Sequence, residues 1–543
     1  MSNNLSLATS QRVDFTSLFT KDGYEVESII GTTYCLNFET LLMLILAITY
    51  GPGADKALEH KSDEISPAAI FTAIKHLRGK LKVYCQADKI DMALNGASNE
   101  TVQRIKTLLD DFVVPVPMQK VNGAFSSFHS KLWLITFKKV YRSSRMIVTS
   151  RNLTSNRDFD AVAVFDNAGR DKSCVTEILN QLPELPKELK NISFETQSVK
   201  IKVEDIKNCH SVISPFLDPG LLKNTEIPQL HIFSLRSEID KVCHAIPELV
   251  EKYKFYCLNP ALETSEEEGN HSSIHAKLYI SDQSIILGSS NFTCRGWHHN
   301  REFNVKLEPG IDEKTLLKEF GVDETEKNYG CGMFIPYSPS GKVTEEKDEK
   351  EDILQELACI TLLADWDETS EMFSLELSCP DGIHLPENIA WRPLGHNEWK
   401  TNDLSWKMPV QDVSKVFICK IDGREVQMLS SWKDGVPQGL WDQRYEAEIA
   451  KLSIADELDF RMLSLEADKL YGRDVPLKRN GEGNNSSHCP PRPPIFERLL
   501  KADKAQLEKF FEDPISARDN DPLGLVQAFE ELKKFFIPGG TEK

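Results

Sequence analysis

The sequence predicts an α/β fold built twice over, followed by a β-rich region and terminal helices. Three observations carry this. Through the first 340 residues, apolar runs of strand length alternate with helix-length stretches, the pattern of α/β units. A seven-residue segment, Ser126-Ser127-Phe128-His129-Ser130-Lys131-Leu132, recurs 146 positions later as Ser272-Ser273-Ile274-His275-Ala276-Lys277-Leu278, within the same order of elements. Beyond residue 340 the texture changes, with Trp391, Trp399, Trp406, Trp432 and Trp441 punctuating short strand-like runs.

A chain of 543 residues exceeds one hydrophobic core, so about two to four domains are expected. We divide it into a first half, 1–195, and a second, 196–340. A Ser/Gly/Lys/Glu linker follows at 341–352, then a β-rich Trp-containing domain at 353–477, a flexible connector at 478–494 and C-terminal helices at 495–543. The first half opens with an apolar strand at 28–37, which runs into the strongly apolar stretch 41–50. Ten such residues are half of what a bilayer needs, and Gly51-Pro52-Gly53 stops them, so a helix buried on all sides is expected. A strand at 81–86 precedes the first His-x-Lys. There, alternation predicts a strand with His129 and Lys131 on one face. A hairpin lengthened at 137–145 and the turn Thr149-Ser150-Arg151-Asn152 follow, and Arg157-Asp158-Phe159 opens another strand.

The second half repeats this order. A strand at 211–218 and one at 230–235 lead to His275 and Lys277, then to Gly288-Ser289-Ser290-Asn291, and Arg301-Glu302-Phe303 opens the last strand. A lone His-x-Lys arises about once by chance in a chain this long. Two copies, each with Ser-x-Asn downstream, are a different matter. Past the linker, 373–377 and 415–420 read as strands, and the tryptophans are expected to fill a small sandwich core rather than face a partner. Helical spacing of Ile495, Phe496, Leu499, Leu500, Leu507, Phe510 and Phe511, then of Leu525, Val526, Phe529, Leu532 and Phe536, predicts two terminal amphipathic helices.

Charge limits the function. A formal net charge of −19 excludes a protein that coats nucleic acid indiscriminately. Yet between His129 and Asp160 lie Lys131, Lys138, Lys139, Arg142, Arg145, Arg151 and Arg157 against Asp158 and Asp160, a local excess of five positive charges; His271 to Lys306 carries an excess of two. Positive charge beside the repeated segments suits a polyanion such as DNA or RNA, gripped through its phosphates. The twelve cysteines form no Cys-x-x-Cys pair, Cys209-His210 and Cys243-His244 read as core, and no metal or other cofactor is expected. The polar start, 1–11, has no signal-peptide core, and a cytoplasmic location is expected.

The repeated residues also suggest a chemistry. Cleaving a phosphodiester needs an attacking group, positive charge at the non-bridging oxygens and a proton for the leaving oxygen. Two histidines and two lysines supply all three. One imidazole can attack phosphorus to give a phosphohistidine while the other protonates the leaving group. Lys131 and Lys277 would clamp the oxygens, with Asn152 and Asn291 donating amide hydrogens and Ser150, Ser289, Arg142, Arg145 and Arg151 holding substrate nearby. Asp158 and Glu302, at matching places, are the expected carboxylates that fix each histidine's tautomer.

His275, Lys277, Asp282, Gly288, Ser289 and Asn291 resemble the HKD motif of the phospholipase D superfamily, one residue shorter than its usual spacing. His129, Lys131, Ser150 and Asn152 resemble a second, divergent copy, with Thr136 where the first Asp would stand. The resemblance covers roughly residues 25–310 and is nearest in flavour to bacterial HKD nucleases, more distantly to tyrosyl-DNA phosphodiesterases. It implies two halves packed about a pseudo-twofold axis with central mixed sheets flanked by helices, both His-x-Lys segments in one cleft, and His129 as nucleophile with His275 as acid. It also implies a metal-independent nuclease in bacterial defence, restriction or repair, with DNA ahead of RNA as partner and an ATPase or other protein, or a second copy of the chain, as company. A phospholipase or phosphatidyltransferase of the same superfamily is a competing reading, as is a silent HKD scaffold that recruits a partner. No membrane-spanning or basic interfacial helix favours the lipid reading.

Overall fold

The computed structural model describes residues 15–50, 67–91, 105–166, 182, 201–260, 273–339, 361–378, 389–432 and 439–451, apart from short breaks at 118, 122–123, 156–157, 226, 228, 328, 331, 368–371, 402 and 422–423. The linker, the connector, the terminal helices and Arg157 lie outside the described residues. Two compact units emerge. One takes Met1–Thr40, Gly79–Asp91 and Val113–Cys359; the other takes Leu41–Arg78, Met92–Phe112 and Ile360–Lys543.

The first unit is the duplicated α/β body. Its first sheet contains β1 (Glu25–Thr33), β2 (Leu81–Gln86), β3 (Val113–Val116), β4 (Leu132–Lys138), β5 (Arg142–Thr149) and β6 (Val162–Asp166), in the order β6-β5-β4-β1-β2-β3. Its second contains β7 (Ser211–Ile213), β8 (His231–Ser234), β9 (Lys254–Leu258), β10 (Leu278–Ile280), β11 (Ile285–Gly288), β12 (Asn304–Leu307) and β13 (Phe334–Pro336), in the order β12-β11-β10-β7-β8-β9-β13. The first six positions match one for one. So do the senses: β1, β2 and β3 run parallel, as do β7, β8 and β9, and each His-x-Lys hairpin joins antiparallel. Among the described residues, β13, antiparallel beside β9, is the strand of the second sheet without a counterpart in the first.

Strands buried on both faces read as unbroken apolar runs. Leu132 to Ile135 and Ile285 to Leu287 are such runs, and all are buried. One hydrophobic cluster draws on both sheets, with Ile30, Leu134, Met146 and Val148 from the first and Ile213, Phe233, Leu278 and Leu287 from the second. Burial of apolar area in this shared core holds the halves together.

The halves also exchange backbone hydrogen bonds. Phe128 bridges Arg301, and Phe159 bridges Ile274, both in parallel sense. His129 N donates to Arg301 O at 3.0 Å and Arg301 N to Ser127 O at 2.9 Å; in the mirror position Phe159 N donates to Ser273 O at 2.7 Å and His275 N to Phe159 O at 2.9 Å. Thus Phe128 is equivalent to Ile274, and Phe159 to Arg301.

The apolar stretch at 41–50 lies in helix α1 (Phe38–Tyr50), which Asn37 caps by accepting from Thr40 N at 3.0 Å. Leu41, Leu44, Ile45, Leu46 and Ala47 are all buried. No helix among the described residues is long and apolar enough to cross a membrane.

In the second unit, Thr361–Asp367, Met372–Ser378 and Ser405–Met408 pair antiparallel, with Ser431–Trp432 at the edge, and Ala390–Pro393, Val416–Ile421 and Arg424–Leu429 form another antiparallel set. Trp391, Trp406 and Trp441 are buried, so these three pack the core. Asp110, fully buried, accepts from Ser414 Oγ at 2.7 Å, Lys415 N at 3.0 Å and Arg444 Nη2 at 3.1 Å. A buried charge so surrounded is compensated rather than exposed to cost.

Candidate active site

Both His-x-Lys segments are extended, but they precede their strands: the sheet ladders begin at Leu132 and Leu278. The backbone of each histidine is tied to the opposite half by the exchanged bonds described above. That tie places the two segments side by side. Lys131 Nζ donates to His129 O at 3.0 Å, and Lys277 Nζ to His275 O at 2.6 Å, so each ammonium curls beside its own imidazole. Lys131 Nζ also lies 3.3 Å from His129 Nε2. Each imidazole lies in the field of both ammonium groups, His129 in that of Lys277 and His275 in that of Lys131.

Each ring is held by a carboxylate from the other half. Glu302 Oε2 sits 2.9 Å from His129 Nδ1, and Asp160 Oδ1 sits 3.1 Å from His275 Nδ1. Asp160, not the expected Asp158, is therefore the partner of His275. The frame decides it. Ser150 N donates to Ala161 O at 2.9 Å as Ser289 N donates to Phe303 O at 3.0 Å, which makes Asp160 the equivalent of Glu302. Aligning Arg157-Asp158-Phe159 with Arg301-Glu302-Phe303 matched the phenylalanines and slipped the register by two. Asp160 had no sequence signal beyond its neighbourhood, because its counterpart is a glutamate and its flanking residues differ.

The serines also act differently than expected. Ser150 and Ser289 are fully buried, and their hydroxyls are taken up by partners within their own halves. Ser150 Oγ donates to Asp160 Oδ1 at 2.9 Å and accepts from Ala161 N at 2.9 Å; Ser289 Oγ accepts from Phe303 N at 2.9 Å. They lock the carboxylate-bearing segments to the ends of the hairpins. Gly288 precedes this crossing, and a Cβ there would lie 2.2 Å from Phe303 O, so only glycine allows the close approach.

Of the arginines, Arg151 belongs to the site, with Nη1 3.5 Å from Asp160 Oδ2. Arg142 and Arg145 do not. Arg142 is exposed at the hairpin tip and pairs with Glu27 at 2.6 Å, and at about 3.3 Å per residue its position lies roughly 25 Å along the strand from Ser150. Arg145 is held by Asp166 at 2.7 Å and by the carbonyls of Leu18 and Thr20. Lengthening the hairpin carried these charges away from the cleft. Asp282 likewise stands at an exposed turn, 3.8 Å from His210 Nε2, and Thr136 bonds Ser28 Oγ at 2.6 Å on β1.

Asn152 Nδ2 reaches to 3.5 Å from His275 Nε2 while its Oδ1 accepts from Cys35 N at 3.4 Å. The amide thus points to where a phosphate oxygen would meet the ring. Asn291 is buried, and its Oδ1 has no hydrogen-bond partner. One residue the repeat did not reveal is Tyr34, whose ring centroid lies 4.7 Å from that of His129.

Burial governs the electrostatics. It lowers the His129 imidazole, against the opposing pull of Glu302. Burial and then the Lys277 ammonium bring His275 down to about 4. Burial takes Lys131 to about 8, and burial with the neighbouring Lys131 charge holds Lys277 well below the ordinary ammonium range. For Glu302, burial opposes ionisation, but His129 and Lys131 outweigh it and hold the carboxyl low; for Asp160 the hydrogen bond from His275 does the same. Two carboxylates and two ammonium groups nearly cancel. An anionic diester would add the charge that lets an imidazole keep its proton.

Residues 241–321 match the family model described as cardiolipin synthase, PLD-like domain. No curated protein matches the chain. Among solved structures, a yeast tyrosyl-DNA phosphodiesterase mutant overlaps it at 11% identity and a TM-score of 0.32, covering 55% of this chain and 86% of that one. An overlap so loose carries no inference about fold or activity. The family match falls on the half that holds His275, Lys277 and Asn291. Residues 241–321 are thus similar to a PLD-like domain.

Proposed function

We propose that this protein is a metal-independent nuclease, hydrolysing phosphodiesters of DNA or RNA through a covalent phosphohistidine. One observation carries the reading: two His-Lys pairs, each with its ring fixed by a carboxylate of the other half, meet in one site. His129 is the attacking residue. Its Nδ1 faces two acceptors, Glu302 Oε2 at 2.9 Å and Ser289 O at 3.1 Å, so the proton stays there and Nε2 keeps its lone pair beside Lys131. The Nε2–P bond forms as the P–O bond to the leaving oxygen breaks, and the proton on His275 passes to that oxygen. Burial and then the Lys277 charge depress His275 in the free site, and the negative charge of a bound phosphate opposes both, so that His275 can hold a proton in the complex. Water then attacks phosphorus, gives a proton to His275, and releases His129.

The purified chain should cut an oligonucleotide in excess EDTA, since four side chains supply attack, charge and proton. Release of head groups from phospholipid vesicles with oligonucleotides left intact would replace this reading with the lipid one that the family description names. Inactivity on both would leave a scaffold. In cells such an activity suits defence, restriction or repair, beside an ATPase or other partner.

A pH profile tests the clamp. Lys131 is cationic below about 8 and neutral above it, so raising pH through 8 removes positive charge from the phosphate site. At constant ionic strength, kcat/KM already falls as His275 loses its proton, and above about 8 it should fall more steeply, by up to roughly a further tenfold per pH unit. A profile with no steepening up to pH 10 would remove Lys131 from the clamp.

A further inference from the structure

Each half carries a turn that ends its first strand and leans on its catalytic asparagine. In the first, Thr33 Oγ1 donates to Cys35 O at 2.6 Å and accepts from Leu153 N at 3.1 Å, and Asn37 N donates to Leu153 O at 2.8 Å. In the second, Ser214 Oγ donates to Phe216 O at 2.7 Å and accepts from Phe292 N at 2.9 Å, and Asp218 N donates to Phe292 O at 3.1 Å. Leu36 bridges Leu153 as Leu217 bridges Phe292. Leu153 and Phe292 directly follow Asn152 and Asn291, so both turns are fastened one residue from the phosphate site.

Each turn also bears an aromatic ring. Tyr34 lies against His129 with an interplanar angle of 55°, and the ammonium groups of Lys131 and Lys89 stand 5.8 and 5.9 Å from its centroid. Phe216 is 48% exposed although its carbonyl is anchored by Ser214 Oγ. An apolar ring half open to solvent, in a turn fastened one residue from Asn291, leaves a flat apolar face uncovered. What it fits is a flat, apolar surface attached to an anion, which describes a nucleobase on its phosphate.

We propose that these turns form a nucleotide subsite on each side of the scissile phosphate, with Tyr34 and Phe216 stacking on unpaired bases, so that single strands are the preferred substrate. This rests on the nucleic-acid reading above. A base in a duplex is stacked and paired and offers no free face, whereas a single strand presents one at every residue.

The test uses the full chain and three substrates: a thymidine oligomer, the same oligomer with abasic residues through its middle, and a duplex. Wild type should cut the thymidine strand with kcat/KM roughly tenfold or more above the abasic strand and above the duplex. Phe216→Ala and Tyr34→Ala should each shrink the thymidine-to-abasic ratio, the pair should bring it close to one, and Phe216→Trp should keep it. A wild-type ratio near one, or a ratio that Phe216→Ala leaves unchanged, would overturn the stacking subsites while leaving the nuclease standing. If no oligonucleotide is cut, or only vesicles are turned over, both proposals fall.

Discussion

Replacing His275 by alanine is expected to lower kcat on an oligonucleotide by about 10^4-fold, at the upper end of what a positioned acid contributes. The size of the loss should depend on the leaving group. An alkoxide cannot depart without a proton, but p-nitrophenolate can. With thymidine 5′-(p-nitrophenyl phosphate), the His275→Ala variant should still release one equivalent of p-nitrophenol in a burst, because His129 and Lys131 remain to attack and clamp. It should then stall, since no base activates the water that would free the phosphohistidine. His129→Ala should give no burst. The double variant should lose little more than His129→Ala, as groups that act as one unit are not additive. A burst from His129→Ala and none from His275→Ala would exchange the two roles, and steady turnover by both would sink the covalent mechanism.

Asp160→Asn should cost roughly 10^2- to 10^4-fold in kcat, against less than tenfold for Asp158→Asn. Asp160 accepts from His275 Nδ1 at 3.1 Å and from Ser150 Oγ at 2.9 Å, and Arg151 backs its other oxygen at 3.5 Å. An asparagine keeps the shape, but it removes the charge that supports the imidazolium and can turn its amide toward Nδ1, forcing the wrong tautomer. Glu302→Gln should act on His129 in the same way. Thermal melts separate this from a folding defect: a variant that melts like wild type yet turns over slowly has lost chemistry, not structure. Equal losses at 158 and 160 would undo the assignment.

Much of the body can be read along the chain because duplication leaves a repeat and burial leaves apolar runs. The two His-x-Lys segments, the Ser-x-Asn turns and the order of strands around them come from short-range patterns, and each pattern has a local physical cause. Alternation aims side chains, and apolar runs fill a shared core. Glu302 was legible for the same reason, as the acid of Arg301-Glu302-Phe303 just before a strand.

Only packing could settle what reaches across the axis. Asp160 becomes the partner of His275 because backbone bonds between the halves set a register that residue types do not encode, and matching Phe159 to Phe303 misplaces it by two. The same packing turns Ser150 and Ser289 inward to their own frames and leaves Arg142 at the far end of a hairpin, though the Ser-x-Asn turns and charge counting along the chain had placed them with the substrate. Tyr34 and Phe216 carry no motif at all; the role proposed for them depends on two turns, each pinned by one hydroxyl group beside an asparagine. Composition and periodicity report what a residue prefers within a few neighbours. Contacts across more than a hundred residues depend on how two sheets are laid against each other, and that choice is made by the whole core at once.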